Sequence, residues 1–385
     1  MRFLLYCDLH SANIYSFNVK KEKYTFSKYS RIEELYSTLN WINEKVTSLN
    51  VSMPINLGDT FHQALRFYVE RYNYVFKSVN NINKSSLSKQ GVLIKGNHDE
   101  SDDISALDTF EDVGETILIK NSIKIKYFSE INSHLIFIPY IRNQEKVKEA
   151  FNILYEKFKN TKSNTYVFCH LDIKEAYDGL IQSTYQLNKL NSYEDLHLEI
   201  YSAIFSGHIH FHKNIKDNFY YIGSVLNHNF GDSLTRKGIT VLDIESSKCN
   251  MYFVENPFCP IFVKFNLEKE RQTNERIKFV EDEIKRYPNT NIYARICAIN
   301  NEESRKKIND FIKKYEFLFT AYETKSIDST EVIEDQENFY ISKIDNINVL
   351  DMIIEKGEQL LKVKEKSPET IEKYISRLRK ICPIN

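Results

Sequence analysis

The chain is 385 residues long, with 42% apolar and 27% charged residues and a formal net charge of −1. These are the proportions of a globular protein with room for more than one domain. They exclude a globally basic nucleic-acid binder, so any contact with nucleic acid must be local. No apolar run reaches the roughly 18 residues of a membrane span. The apolar run at residues 3–7 is too short for a secretory signal. Cys7, Cys169, Cys249, Cys259, Cys297 and Cys382 are scattered, with no C-x-x-C pair. Reduced thiols and a cytoplasmic location are expected (the host cytoplasm for a phage-encoded chain).

In chain order, residues 3–7 read as a buried strand that releases Asp8-Leu-His10, and positions two apart on an extended segment face the same way. Residues 11–30, with Lys20, Lys21, Lys23 and Lys28, read as a long loop or a hairpin. Residues 31–49 are helical, with Ile32, Leu35, Leu39, Ile42 and Val46 on one stripe. A strand at 54–57 runs into Gly58-Asp59-Thr-Phe-His62. Apolar positions from Leu65 to Val79, including Tyr72 and Phe76, keep helical spacing and would cover either the sheet or a second subunit. Residues 92–94 form a third strand that breaks at Gly96 and releases Asn97, His98 and Asp99. Asp99 could orient His98 or cap a following helix.

Residues 117–128 alternate as an outer strand pair would, 135–138 form another strand, and 146–159 read as a helix. The strand at 166–169 runs into His170, and that at 203–206 into Gly207-His208-Ile-His210. Strands at 220–222 and 239–243 complete a layered α/β domain of residues 1–255. Beyond Pro257 and Pro260, a β-α-β-α piece without histidine reads as a small accessory domain, 256–325. An acidic linker (326–344) then leads to two amphipathic helices within 345–385, with Ser367 and Pro368 opening the second.

The polar residues released at strand ends are Asp8, His10, Asp59, Asn97, His98, His170, His208 and His210. In one sheet such ends converge on a single edge. Carboxylates, an amide and imidazoles with no thiolate form a hard-to-borderline ligand set, suited to Mn²⁺, Fe²⁺ or Zn²⁺ more than Ca²⁺, with Mn²⁺ the first choice. They are too many for one ion and fit two ions sharing a carboxylate. His134, His197, His212 and His228 have no comparable context.

These five stretches resemble the motifs of the calcineurin-like metallophosphoesterases, and Gly58-Asp59-Thr-Phe-His62 is similar to the pattern of the SbcD/MRE-eleven DNA nucleases; the modest length and the stretch from Gly207 to Asp232 look most like the phage recombination branch. Protein phosphatases carry arginines where this chain has His62 and Lys95. The resemblance covers about residues 1–245. It implies an α+β fold: a β-sandwich flanked by helices in αββα layers, a small α/β capping domain and a C-terminal helical tail. It implies Asp8, His10 and His210 on one ion, Asn97, His170 and His208 on the other, and Asp59 between them. The catalytic group would be His98, assisted by His62 and with Asp99 adjoining, outside the coordination shell. The implied function is a Mn²⁺-dependent DNA exonuclease and endonuclease, with Mg²⁺ or Fe²⁺ as alternative ions. Its partners would be DNA, an SbcC-like coiled-coil ATPase held by residues 345–385, and a second copy joined through the helix at 64–80. The competing expectations are a phosphatase or small phosphodiesterase on the same fold, and a non-catalytic scaffold subunit.

Overall fold

Short runs of branched and aromatic residues, buried on both faces, make the strands that carry the polar turns. Phe3, Leu4, Leu5 and Tyr6 are all at most 1% exposed, because alternate side chains enter two different cores. Leu4 and Tyr6 meet helix residues Leu35, Leu39, Ile42, Val75, Val79 and Ile82. Phe3 and Leu5 meet the facing sheet through Leu135, Phe137, Tyr166, Phe168 and Phe205. The computed structural model describes residues 1–327 apart from 12–29, 65–68, 102–103, 112, 178–186, 188, 233, 235 and 247. All of these belong to one compact unit, Met1–Tyr340.

Two six-stranded mixed sheets pack face to face, with helices on the outside. The first runs, edge to edge, Cys249–Glu255, Gly238–Ile244, Arg2–Tyr6, Met53–Asn56, Gly91–Ile94, Thr116–Ile119. The second runs His212–Lys216, Phe219–Ile222, Ala203–Gly207, Asn164–His170, Ser133–Ile138, Lys124–Phe128. Arg2–Tyr6, Met53–Asn56 and Gly91–Ile94 are mutually parallel, as are Asn164–His170 and Ala203–Gly207, so each set delivers its ends to one edge. Helices Ser30–Ser48 and Val69–Ser85 cover the first sheet. Helix Gln144–Phe158, capped by Asn143 accepting from Lys146 N, lies on the second, where Phe158 meets His134.

Two expectations need correction. Residues 117–128 are not a strand pair. Thr116–Ile119 pairs with Gly91–Ile94, while Lys124–Phe128 pairs with Ser133–Ile138, so the turn between them carries the chain from one sheet to the other. Alternation was real in both strands, but it cannot report which partner a strand takes. The helix expected to end at Val79 continues to Ser85, because Ile82 and Asn83 remain buried. Of the stripe that could cover the sheet or a second subunit, Tyr72 stacks on Phe61 at 5.1 Å and Phe76 packs on Phe110 at 4.8 Å, and both side chains stay partly exposed. Strands His212–Lys216 and Cys249–Glu255 were not foreseen; both are edge strands with exposed polar positions.

The third sheet, Ile261–Asn266, Ile292–Ile299 and Ala321–Ile327, is wholly parallel. Helices Glu270–Arg286 and Glu302–Tyr315 pack with it around Val263, Phe265, Val280, Ile296 and Phe311. Its last strand runs into the stretch read as linker. The sheet is seated on the rest through Phe230, Phe262 and Tyr293, and through Glu34, which accepts from Tyr293 Oη (2.7 Å) and Asn291 Nδ2 (2.6 Å). Residues 345–385, with the two amphipathic helices, lie outside the described residues. Among the described residues no helix is long and apolar enough to cross a membrane.

Phe168 lies at the centre of the sandwich, two residues before His170, with Phe137 and Phe205 at 5.5 and 5.6 Å. Phe168→Ala leaves a cavity between the sheets and should destabilise the fold by about 3–5 kcal/mol. A shift in the urea midpoint at unchanged slope checks this; a loss under 1 kcal/mol contradicts the central placement.

Candidate dimetal centre

The turns that leave the strand ends are strained and tightly meshed. Asp8, His10, Asp59 and His208 all have positive φ (51°, 40°, 53° and 84°), which for non-glycine residues is tolerated where surrounding structure enforces it. The enforcement is visible in the backbone: Asp8 N–H donates to Gly58 O (2.9 Å), His10 N–H to Asp59 O (3.0 Å) and Ser11 N–H to Thr60 O (3.0 Å). At Gly96, a Cβ would stand 2.1 Å from Asp59 Oδ1, so only glycine lets the third turn close on the second. Gly58 has φ +105°, and a Cβ there would stand 2.5 Å from His170 Nδ1.

The result is a buried cage. Donor atoms of Asp8, His10 and His210 lie within 4.8 Å of one another, and so do those of Asp59, His170 and His208. Asp59 sits between: one oxygen accepts from His98 N–H (2.9 Å), and Oδ2, which has no hydrogen bond, lies 3.5 Å from both His10 Nε2 and His170 Nε2. Asn97 Oδ1 faces His170 Nε2 at 2.9 Å and His208 Nδ1 at 3.0 Å. His10 Nε2 and His210 Nε2 face each other at 3.1 Å.

Each of these rings turns its other nitrogen outward. His170 Nδ1 donates to Leu57 O (2.8 Å) and Nε2 is aimed at two oxygen acceptors, so that once the ring gives up its second proton Nε2 becomes an inward lone pair. His210 Nδ1 meets Asp232 Oδ1 at 3.1 Å, His208 Nε2 lies 3.4 Å from Asp172 Oδ2, and His10 Nδ1 lies 3.4 Å from His62 Nδ1.

His98 and His62 lie at the side of the cage, stacked 5.2 Å apart, with His98 4.7 Å from the His10 ring. Asp99 does not touch either imidazole in the way expected of an orienting carboxylate. It is fully buried, and its oxygens accept from Phe61 N–H and Gly96 N–H (both 2.9 Å), tying two turns together. The acceptor that orients His98 is instead the His62 carbonyl, 2.8 Å from Nδ1. The cage also holds residues that sequence reasoning missed. His228 donates from Nε2 to Asp8 O (2.8 Å), with its ring 5.0 Å from His10 and 5.2 Å from His210. Asp172 follows His170 by two residues and Asp232 follows the Gly231 turn; only the first proximity was a usable signal. His134, His197 and His212 make other contacts, with Ser163, Asn152 and Ile222.

Charge is managed inside the cage. Burial pushes the Asp59 carboxyl up, but His170 and His98 overcome this and hold it well below the usual range. Burial works against a charged His170, yet Asp59 prevails and raises the ring to about 9. Burial, reinforced by His98, keeps His10 well below the imidazole range. For Asp99, burial and the nearby Asp59 together raise the carboxyl to about 7.

Lone pairs and a carboxylate oxygen that point at one another under full burial are what cations satisfy. The oxygen and imidazole donors fit two divalent cations. His10 belongs as well to an outer trio with His62 and His98. A neutral ring whose Nε2 lone pair faces inward carries its proton on Nδ1, so it cannot ligate in both groups at once.

A sandwich with such a centre at its strand ends defines a metal-dependent phosphoesterase. The chain belongs to the calcineurin-like phosphoesterase family, whose model matches residues 1–212. It is 26% identical over 256 residues to the Invertebrate iridescent virus 6 protein named "Putative phosphoesterase 244L", covering 65% of this chain and 82% of that one. Among solved structures it is similar to a dimetal phosphatase from Danio rerio, at 11% identity and a TM-score of 0.36, over 66% of this chain and 96% of that one.

Asp59→Asn keeps the acceptor for His98 N–H and tolerates the left-handed backbone, but removes the charge between the two halves. Metal analysis after dialysis should find less than one ion per chain at unchanged circular dichroism. Two retained ions would remove Asp59 from its central role.

Proposed function

We propose that the protein is a two-metal phosphodiesterase, with Asp8, His10 and His210 holding one ion, Asn97, His170 and His208 the other, and Asp59 shared. Mn²⁺ is the ion we favour for this donor set. When bound, two such ions offset the negative charge of a phosphate ester and make a water molecule acidic enough to attack near neutral pH. The observation that carries the reading is the composition of the cage's side, where, among the described residues, His98 and His62 stand as two stacked imidazoles. Arg31 is engaged with Glu34 and Lys95 with Glu100, so neither serves as a clamp for a phosphomonoester dianion. A phosphodiester carries one charge and asks for less. Its leaving oxygen needs a proton, and imidazole is suited to give one. His98 Nδ1 donates to His62 O, so the proton it can move is the one on Nε2.

A small phosphodiester is the first substrate class, since the family description and the viral relative's name go no further than phosphoesterase. A DNA strand is the second. It is supported by the placement of His62 against His98, in the motif that resembles the SbcD/MRE-eleven nucleases. A coiled-coil ATPase on residues 345–385 belongs to that second reading.

Mn²⁺- or Mg²⁺-loaded protein should be assayed against p-nitrophenyl phosphate, bis-p-nitrophenyl phosphate and a labelled single-stranded oligonucleotide. Faster turnover of the diester than the monoester is expected, and cleavage of the oligonucleotide selects the nuclease reading. Preference for the monoester would overturn the proposal. His98→Ala should retain both ions while losing about 10²–10⁴-fold in diester hydrolysis. A variant within threefold of wild type would remove His98 from proton transfer.

A further inference from the structure

What the outward nitrogen of a ligand imidazole meets decides how firmly the ring is aimed. For His170 that partner is a backbone carbonyl, but His210 and His208 each turn toward a side-chain carboxylate. Asp232 is fully buried. Its Oδ1 lies 3.1 Å from His210 Nδ1 and 3.9 Å from Lys237 Nζ, and its Oδ2 accepts from His228 N–H at 3.0 Å. Lys237 also donates to the His210 carbonyl, so His210 is held at both its ring and its backbone. On the other half, Asp172 is 5% exposed and is fixed by Tyr177 Oη, which donates to Oδ1 at 2.6 Å. Its Oδ2 stands 3.4 Å from His208 Nε2, close but not aligned as a full hydrogen bond.

We infer that Asp232 and Asp172 are positioning residues, one for each half of the dimetal centre, with Asp232 acting through His210 and Asp172 through His208. A carboxylate behind the ring keeps the proton on the outward nitrogen and presents the inward one as a lone pair. It also raises the ring's basicity toward a cation. The two supports are separate: Asp232 stands on the turn after Phe219–Ile222, and Asp172 follows the strand Asn164–His170. Their removal should therefore act on different ions. This inference rests on the two-ion reading of the site and not on the identity of the substrate.

The test is titration of Mn²⁺ into the metal-free full-length protein by calorimetry, with electron paramagnetic resonance recorded at each equivalent. Wild type should take two ions and develop a coupled dinuclear signal. Asp232→Asn should weaken one binding step by about 10–100-fold and leave the other within threefold, so that a mononuclear signal persists at two equivalents. The weakened step should be the one that His210→Ala removes. Asp172→Asn should weaken the other step, toward the smaller end of that range given its longer contact, and should pair with His208→Ala. The metal-free melting temperatures of both variants should stay near that of wild type. Two variants that bind both ions as wild type does would overturn the inference. So would variants that weaken both steps equally while lowering the metal-free melting temperature, since that is a general structural effect. If Asp232→Asn does not fold, the pairing of Asp172→Asn with His208→Ala decides the matter alone. A wild type that takes up no ion would instead defeat the two-metal reading beneath it.

Discussion

The structure depends on one constraint: the Asp59 carboxylate is fully buried, and its Oδ2 is aimed between two imidazole nitrogens 3.5 Å away with no hydrogen bond of its own. Left uncompensated, a buried charge of this kind is expensive. A proton on His170 offsets the charge in part, but as neutral groups the rings offer nothing, because their inward nitrogens are then lone pairs as well. Cations reconcile these demands, and the positive-φ turns at Asp8, His10, Asp59 and His208 are the strain accepted to bring the donors together. The rest of the sandwich serves to hold those turns against one another.

Parallel strands make this possible. Each sheet has four neighbouring parallel strands, of which three in one and two in the other carry the site residues to one rim, and burial of both strand faces keeps each end in register. The close approach at Gly58 and Gly96 then sets the depth of the cage. Asp99 contributes from below, joining the Phe61 and Gly96 turns. It is a fastening of the scaffold, and its position beside His98 in sequence does not translate into contact with the ring.

Much of this was legible from residues alone. The strand-end positions Asp8, His10, Asp59, Asn97, His170, His208 and His210 were readable because each follows an apolar run that can only be a buried strand, and local order along the chain suffices for that. What failed to show was whatever depends on pairing across distance. Residues 117–128 alternate correctly for two strands, yet those strands belong to different sheets. His228 lacks a strand end of its own, so nothing in its neighbourhood marks it, but a turn brings it to the Asp8 carbonyl. Asp232 was hidden for the same reason. Tyr72 and Phe76 also meet Phe61 and Phe110 of the same chain, contacts that spacing cannot reveal.

The central claim is that Asp59 stands between two divalent cations in one buried cage. Anomalous diffraction at the manganese edge, from crystals grown with Mn²⁺, tests it most directly. The account predicts two peaks about 3.5–4 Å apart, one beside His10 and His210, the other beside His170 and His208, with Asp59 Oδ2 between them. A single peak, or a peak held by His62 and His98 with none at Asp59, would contradict it.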